Sequence, residues 1–173
     1  MKDQRFYHEF SLKQRIKFFM INDHWYQIRN YIRYLRLEEK YFNSGNRLFS
    51  NFFCRKKNIL GNKLGFYISK NTLGEGVTIY HHGSIIISGN AKIGNNVSLH
   101  GNNCIGNDGN SDFAPIIGDS VDIGFGACII GSIEIAKGVK IGAGAVVVKS
   151  CFKEGATLIG VPARIIESEQ NNE

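Results

Sequence analysis

Proline is nearly missing from this chain. Two in 173 residues, Pro115 and Pro162, are too few for long disordered linkers. No uninterrupted apolar run is long enough to span a bilayer. The opening MKDQRFYHEF lacks the apolar core of a signal peptide, and a cytoplasmic protein is expected. Cysteine is sparse and scattered: Cys54, Cys104, Cys128 and Cys151 contain no CxxC pair, which argues against a zinc knuckle or a redox couple. Reduced, packed thiols are expected instead. Nothing in the sequence sets a base beside any of them, as an acyl-cysteine route would require.

What is present divides into two compositions. The net charge is +6. Residues 1–70 hold 15 Lys/Arg against 5 Asp/Glu, whereas residues 71–173 hold 6 against 10. Sixteen of the 20 aromatic residues also precede residue 71. The first part reads as helices. Trp25, Ile28, Ile32 and Leu35 form an apolar stripe, with Arg29, Arg33 and Arg36 on another face. Phe6, Phe10, Ile16, Phe19 and Met20 suggest an earlier helix, NSGN (43–46) marks a turn, and a third helix is expected over Arg47 to Lys57.

From about residue 64 an aliphatic residue recurs every six positions. The series runs Leu73, Ile79, Ile85, then Ile87, Ile93, Leu99, Ile105, and later Ile117, Ile123, Ile129, Ile135, Ile141, Val147. Glycine often follows directly, and Val77, Val97, Val121, Ala127, Val139 and Ala145 stand four residues on. Period six fits neither a helix nor a hairpin sheet. It fits a short strand plus a tight turn, with each aliphatic pointing into a shared core and each Gly or Asn supplying an unusual turn dihedral. Stacked units of this kind make a β-helix. The repeat slips between Ile85 and Ile87, and GNDGNSDFAP (106–115) replaces one hexad. Such an interrupting loop is expected to line a site.

These hexads, with APIIGDSVDIGFGACIIGSIEIAKGVKIGAGAVVVKS and the terminal GVPARII, resemble the hexapeptide-repeat acyltransferases, in the serine acetyltransferase branch. LGFYISKNTLGEGVTIYHHGSIIISGNAKIGNNVSLHGNNCIG is similar to the short members of that branch, many linked to capsule and exopolysaccharide synthesis. The resemblance covers roughly residues 60–166. It implies a mainly β protein, a left-handed parallel β-helix with a small α-helical N-terminal part. Three regions follow: 1–60 helical, 61–166 the acyltransferase β-helix, and 167–173 a polar tail. It also implies a homotrimer with acetyl-CoA as cosubstrate between subunits, and no metal.

In this resemblance His81 falls at the family's general base. A hydroxyl is too weakly acidic to attack a thioester unaided, and a largely neutral imidazole can take its proton. His82, as the adjacent strand residue, points the other way and reads as solvent-facing or structural. His100, one coil above in the slipped register, is the second catalytic candidate. His8 and His24 have no motif context. On the cofactor side the resemblance assigns Gly124, Gly126 and Ala127 of GFGA, with Gly142, Ala143, Gly144 and Ala145 of GAGA, to close approach of the pantetheine arm. Lys149 and Arg164 match cations near the CoA phosphates.

Departures from the full pattern shape the expected acceptor. Phe66 replaces the acid that partners the catalytic His, Tyr80 replaces the acid before it, and Phe113-Ala114-Pro115 replaces Arg-His-Pro. A charged amino acid needs paired partners, so these residues favour a glycan or sugar hydroxyl, with serine O-acetylation for cysteine synthesis as the alternative. A binding-only β-helix and a histidine-ligated zinc enzyme are the rivals from other classes. No nucleic-acid module is present, so no nucleic-acid partner is expected. The arginine-flanked stripe of residues 25–36 allows peripheral contact with a membrane, but packing of the stripe onto the β-helix or a neighbouring subunit, leaving the arginines solvated, is the favoured reading.

Overall fold

The computed structural model describes residue 3 and residues 9–166; Phe6, His8 and the expected tail 167–173 lie outside the described residues. Three helices, α1 (Leu12–Met20), α2 (His24–Asn43) and α3 (Arg47–Leu64), precede the strands. Each begins at a side chain that accepts an otherwise orphaned backbone N–H. Ser11 does this for α1 in a capping box with Gln14. Asp23 accepts from the Trp25 N–H at 3.0 Å and Asn46 from the Phe49 N–H at 3.2 Å. The NSGN turn is formed as expected: α2 stops at Asn43 and Gly45 adopts a φ of 79° before the Asn46 cap. Helix α3 continues to Leu64, past the boundary expected at residue 60, and stops where Gly65 turns left-handed at φ 81°.

The rest of the described chain is short strands: β1 (Phe66–Ile68), β2 (Thr78–Ile79), β3 (Ile85–Ile87), β4 (Lys92–Ile93), β5 (Ser98–Leu99), β6 (Cys104–Gly106), β7 (Ile116–Ile117), β8 (Asp122–Ile123), β9 (Cys128–Ile130), β10 (Glu134–Ile135), β11 (Lys140–Ile141), β12 (Val146–Val147), β13 (Thr157–Gly160) and β14 (Ala163–Ile166). They form three sheets, ordered β1-β3-β6-β9-β12, β4-β7-β10 and β2-β5-β8-β11-β13-β14. All pairings are parallel except β13 with β14. Up to β13, successive strands therefore belong to different sheets, and the chain winds as a three-sided parallel solenoid.

Regular coils advance 18 residues, from Asp122 to Lys140 and from Cys128 to Val146, which is three hexads. Coils containing the 106–115 loop advance 24, from Ser98 to Asp122 and Cys104 to Cys128. Every aliphatic residue of the period-six series is buried, as are all the small residues four positions later. The slip at Ile85 and Ile87 is a three-residue strand with both ends inward and Ile86 outward, the ordinary two-residue strand period.

The glycines directly after the aliphatics have a different cause from the expected one. They are not the positive-φ residues; those stand two positions later, at Gly76, Asn96, Ser120, Gly126 and Gly144. Gly74, Gly94, Gly118 and Gly124 are needed because coils touch there. A Cβ on Gly94 would lie 2.6 Å from the Gly118 carbonyl carbon, and one on Gly124 would lie 2.6 Å from the Ala143 nitrogen. Any side chain would push the coils apart.

The helices close the first coil. Ile28, Ile32 and Leu35 are fully buried in the common core, so the stripe packs onto the solenoid, and the membrane contact drawn from it is corrected. No helix among the described residues is long and apolar enough to cross a membrane. The exposed edge of β1 is satisfied by side chains: the Tyr31 hydroxyl accepts the Ile68 N–H at 3.2 Å, and the Lys57 ammonium donates to the Ile68 carbonyl at 3.2 Å. Lys57 is itself paired with Glu38 at 2.7 Å.

Arg36 is not merely solvated either. Its guanidinium donates to both Asp3 oxygens, to Glu39 at 2.9 Å, and to the carbonyls of Leu73 and Gly74. Burial alone would lower its pKa, but the Asp3 hydrogen bonds and the Glu39 charge outweigh it and hold it above the usual value. Asp3 and Glu39 in turn accept the backbone N–H groups of Val77 and Asn71. Arg36→Ala leaves two carboxylates and two carbonyls short of a donor and is expected to destabilise the protein by about 3 kcal/mol. Arg36→Lys, which keeps the charge without the fork, should lose less. Urea midpoints for the two variants check both statements.

Candidate active site

All four corners formed by β2, β5, β8 and β11 hold residues singled out in the sequence, and the stack is continuous. The residue after each strand donates its N–H to the coil above: Tyr80 to Leu99 at 2.9 Å, His100 to Ile123 at 3.0 Å, and Gly124 to Ile141 at 2.8 Å. One position on, His81, Gly101, Phe125 and Ala143 make the next column. A Cβ on Gly101 would lie 3.4 Å from the His81 Cβ and 3.3 Å from the Phe125 ring. His81, His100, Gly124, Gly126, Gly142, Ala143 and Gly144 therefore share one edge of the prism.

His81 and His82 are not in a strand. They follow the end of β2 in the bend leading to β3, and both are exposed, so strand alternation does not govern them. His82 faces solvent, as expected, with its ring 5.9 Å from that of His24. The ring directly against His100 is that of Tyr80, stacked at 4.6 Å and 17°. Trp25 of α2 meets Tyr80 edge-on at 6.4 Å.

The acid in the site is one the sequence reading missed. His100 Nε2 and Asp122 Oδ1 are 2.8 Å apart, with both side chains partly exposed at 36% and 50%. Asp122 occupies an outward hexad position, where a carboxylate reads as a solvated surface charge. The 24-residue coil sets it opposite Ser98, two residues before His100, where the His100 ring reaches it. His81 makes no hydrogen bond among the described residues.

His24 also joins the site from the start of α2. Its imidazole lies below its ordinary pKa because burial disfavours the charged form; Asp23 opposes this and the neighbouring His82 and His81 add to it. The other titrating candidates are less suited to chemistry. Burial raises the Cys54 thiol, with Glu38 adding to it, and burial followed by Cys128 raises that of Cys104, so neither is poised as a thiolate. Among the described residues no group of three His, Cys, Asp or Glu side chains could hold a metal ion. A cavity of about 320 Å³ between α2, α3 and β1 contains Glu38, Cys54 and Lys57, but it lies off this edge and its buried charges are paired with each other.

On the cofactor side the two glycine-rich segments lie one coil apart, with the Gly144 N–H donating to the Phe125 carbonyl at 2.8 Å. Gly126 and Gly144 carry the left-handed turns, at φ 74° and 68°. The side chains of Ala127 and Ala145 are fully buried, which corrects their assignment to a ligand groove: their methyl groups fill the prism. Lys149 and Arg164 are exposed, Arg164 on β14 opposite Ile159. The 106–115 loop stands at the following corner, between β6 and β7, and bonds within itself and to Asn90.

No protein-family model matches the chain. It is 38% identical over 104 residues to a serine acetyltransferase of Buchnera aphidicola, covering 58% of this chain and 40% of that one. Soybean serine acetyltransferase complexed with serine superposes with a TM-score of 0.69 at 29% identity, covering 79% of this chain and 56% of that one. The Brucella abortus enzyme in complex with coenzyme A gives 0.63 at 30%, covering 78% and 54%. The chain thus spans less than two thirds of each relative's length.

These relatives overturn the sugar-acceptor reading, and the capsule link finds no support in them. The structure supplies the physical reason. Phe66 is a core residue packed edge-on against Tyr31 at 5.2 Å, and Ala114 is buried. Neither can face an acceptor, so their lack of charge carries no information about it.

The histidine cluster is directly measurable. In an NMR titration His24 is expected to lose its proton below the ordinary imidazole range near 6.5. His82→Asn should move that titration upward by removing a like charge.

Proposed function

We propose that the chain is an acetyl-CoA-dependent serine O-acetyltransferase. One observation carries the reading: two imidazoles and two glycine-rich segments stack along a single edge of the solenoid, within the region similar to serine acetyltransferases. The resemblance adds a left-handed winding of the coils.

The reaction is a direct transfer. The serine hydroxyl oxygen attacks the thioester carbonyl carbon while a rim imidazole, His81 or His100, accepts its proton. The tetrahedral oxyanion then collapses, the C–S bond breaks, and the CoA thiolate recovers the proton from the imidazolium. Backbone N–H groups at the glycine-rich corners suit the oxyanion and the close approach of the pantetheine arm. Lys149 and Arg164 are the cations suited to the CoA phosphates. A cyclic homotrimer fits this chemistry, because a neighbouring coil would complete the groove along the edge.

Incubation with acetyl-CoA and millimolar L-serine should yield O-acetylserine and free CoA thiol, read by mass spectrometry and thiol titration. The double variant His81→Ala/His100→Ala should lower kcat by about 10²–10⁴ with acetyl-CoA affinity nearly unchanged. No O-acetylserine from the wild-type protein sinks the reading. Light scattering of the active preparation should give three times the 19.4 kDa chain mass; a monomer mass would refute the shared groove.

A further inference from the structure

The motif resemblance points to His81 as the base, yet the orienting acid stands one coil away. We propose that the acceptor's proton is taken by His100, with Asp122 and Tyr80 as its positioning residues, and that His81 serves as a contact to the acceptor. The inference rests on the proposed transfer reaction and specifies where its proton goes.

A neutral imidazole has one donor and one acceptor nitrogen, and the partner of the first decides which is which. Asp122 Oδ1, 2.8 Å from His100 Nε2, can only accept while ionised. That fixes the hydrogen on Nε2 and leaves the lone pair on Nδ1. No hydrogen bond occupies Nδ1 among the described residues. The carboxylate also stabilises the imidazolium that forms when the acceptor oxygen bonds to the acetyl carbon and its proton moves to Nδ1. When the C–S bond breaks, the same proton leaves Nδ1 for the thiolate, so His100 and Asp122 return to their starting state.

Tyr80 limits the ring's rotation. It covers one face of His100 at 4.6 Å and is itself in edge contact with Trp25 from α2. The imidazole is thus held in its plane by Asp122 and against its face by Tyr80. His81 lacks comparable support: it is exposed and has no hydrogen-bonded carboxylate among the described residues. A base whose ring is fixed in tautomer and orientation needs no reorganisation during transfer.

The two imidazoles are separated by single variants assayed with L-serine and acetyl-CoA. His100→Ala should lower kcat by at least about 10²-fold, and added imidazole should restore part of that loss. His81→Ala should act mainly on the KM for serine. Asp122→Asn can present an N–H to Nε2 and invert the tautomer. It should lower kcat at least about tenfold with KM for acetyl-CoA unchanged, and Asp122→Glu should retain more of the rate than Asp122→Asn. The half-exposed position of Asp122 makes these variants suitable for folding, and circular dichroism verifies it. Near-normal kcat in His100→Ala, or equal rates for wild type and Asp122→Asn, overturns the inference while leaving the transferase reading intact. No turnover by the wild-type protein overturns both.

Discussion

The contact between neighbouring coils governs this structure. Backbone N–H groups at the corners donate to carbonyls of neighbouring coils, and at Gly74, Gly94, Gly118 and Gly124 the backbones approach too closely for any Cβ. Because that spacing is fixed, side chains at equivalent corner positions are stacked in register whether or not they are related in sequence. Tyr80 lies on His100 for this reason, and His100 reaches Asp122 one coil up, two residues before its own register partner Gly124. The site is a consequence of coil pitch: a column of corners whose lower coils carry imidazoles and whose upper coils carry glycine. Function can be built there because the scaffold already sets the distances.

A solenoid has the weakness that its first coil has nothing to receive it. Here the helices supply the missing partners, with side chains in place of backbone. Tyr31 and Lys57 satisfy Ile68 from α2 and α3, and Arg36 gathers two carbonyls of the first coil with two carboxylates. The same helix α2 opens with Asp23, His24 and Trp25, and its first turn lies against Tyr80 and His82. The cap and the candidate site are therefore linked through one helix. A loosened cap would disturb the ring that holds His100 before it disturbed the upper coils.

Much of the fold was legible in the sequence because its signal is redundant. Thirteen inward aliphatics at fixed spacing specify the strands, and the structure buries each one. The N-terminal stripe was legible in kind: its residues Ile28, Ile32 and Leu35 are core. The reason for the glycines was not, since a one-dimensional pattern cannot tell a turn dihedral from a close approach. Nor was Asp122. Its partner stands 22 residues away across an irregular coil, so the pairing depends on how many residues the 106–115 loop absorbs. His81 and His82 looked like strand residues because aliphatic runs flank them, but the corner after β2 frees both from strand alternation.

The acceptor shows where residue-by-residue comparison breaks down. Phe66, Tyr80, Phe113 and Ala114 looked like lost polar contacts, and together they argued for an uncharged acceptor. Two of them turn out to be buried in the fold, and a third, Tyr80, packs on a catalytic candidate. Only Phe113, 71% exposed on the loop, remains free to meet a ligand. Meanwhile the edge has polar groups in positions no motif marks: Asp122 from the coil above and His24 from the helical cap. A site assembled across stacked coils can keep its chemistry while moving its charges from one coil to the next. The constraint is that a carboxylate stand within hydrogen-bond reach of an imidazole on the rim, and here the pitch of the solenoid meets it with His100 and Asp122 from neighbouring coils.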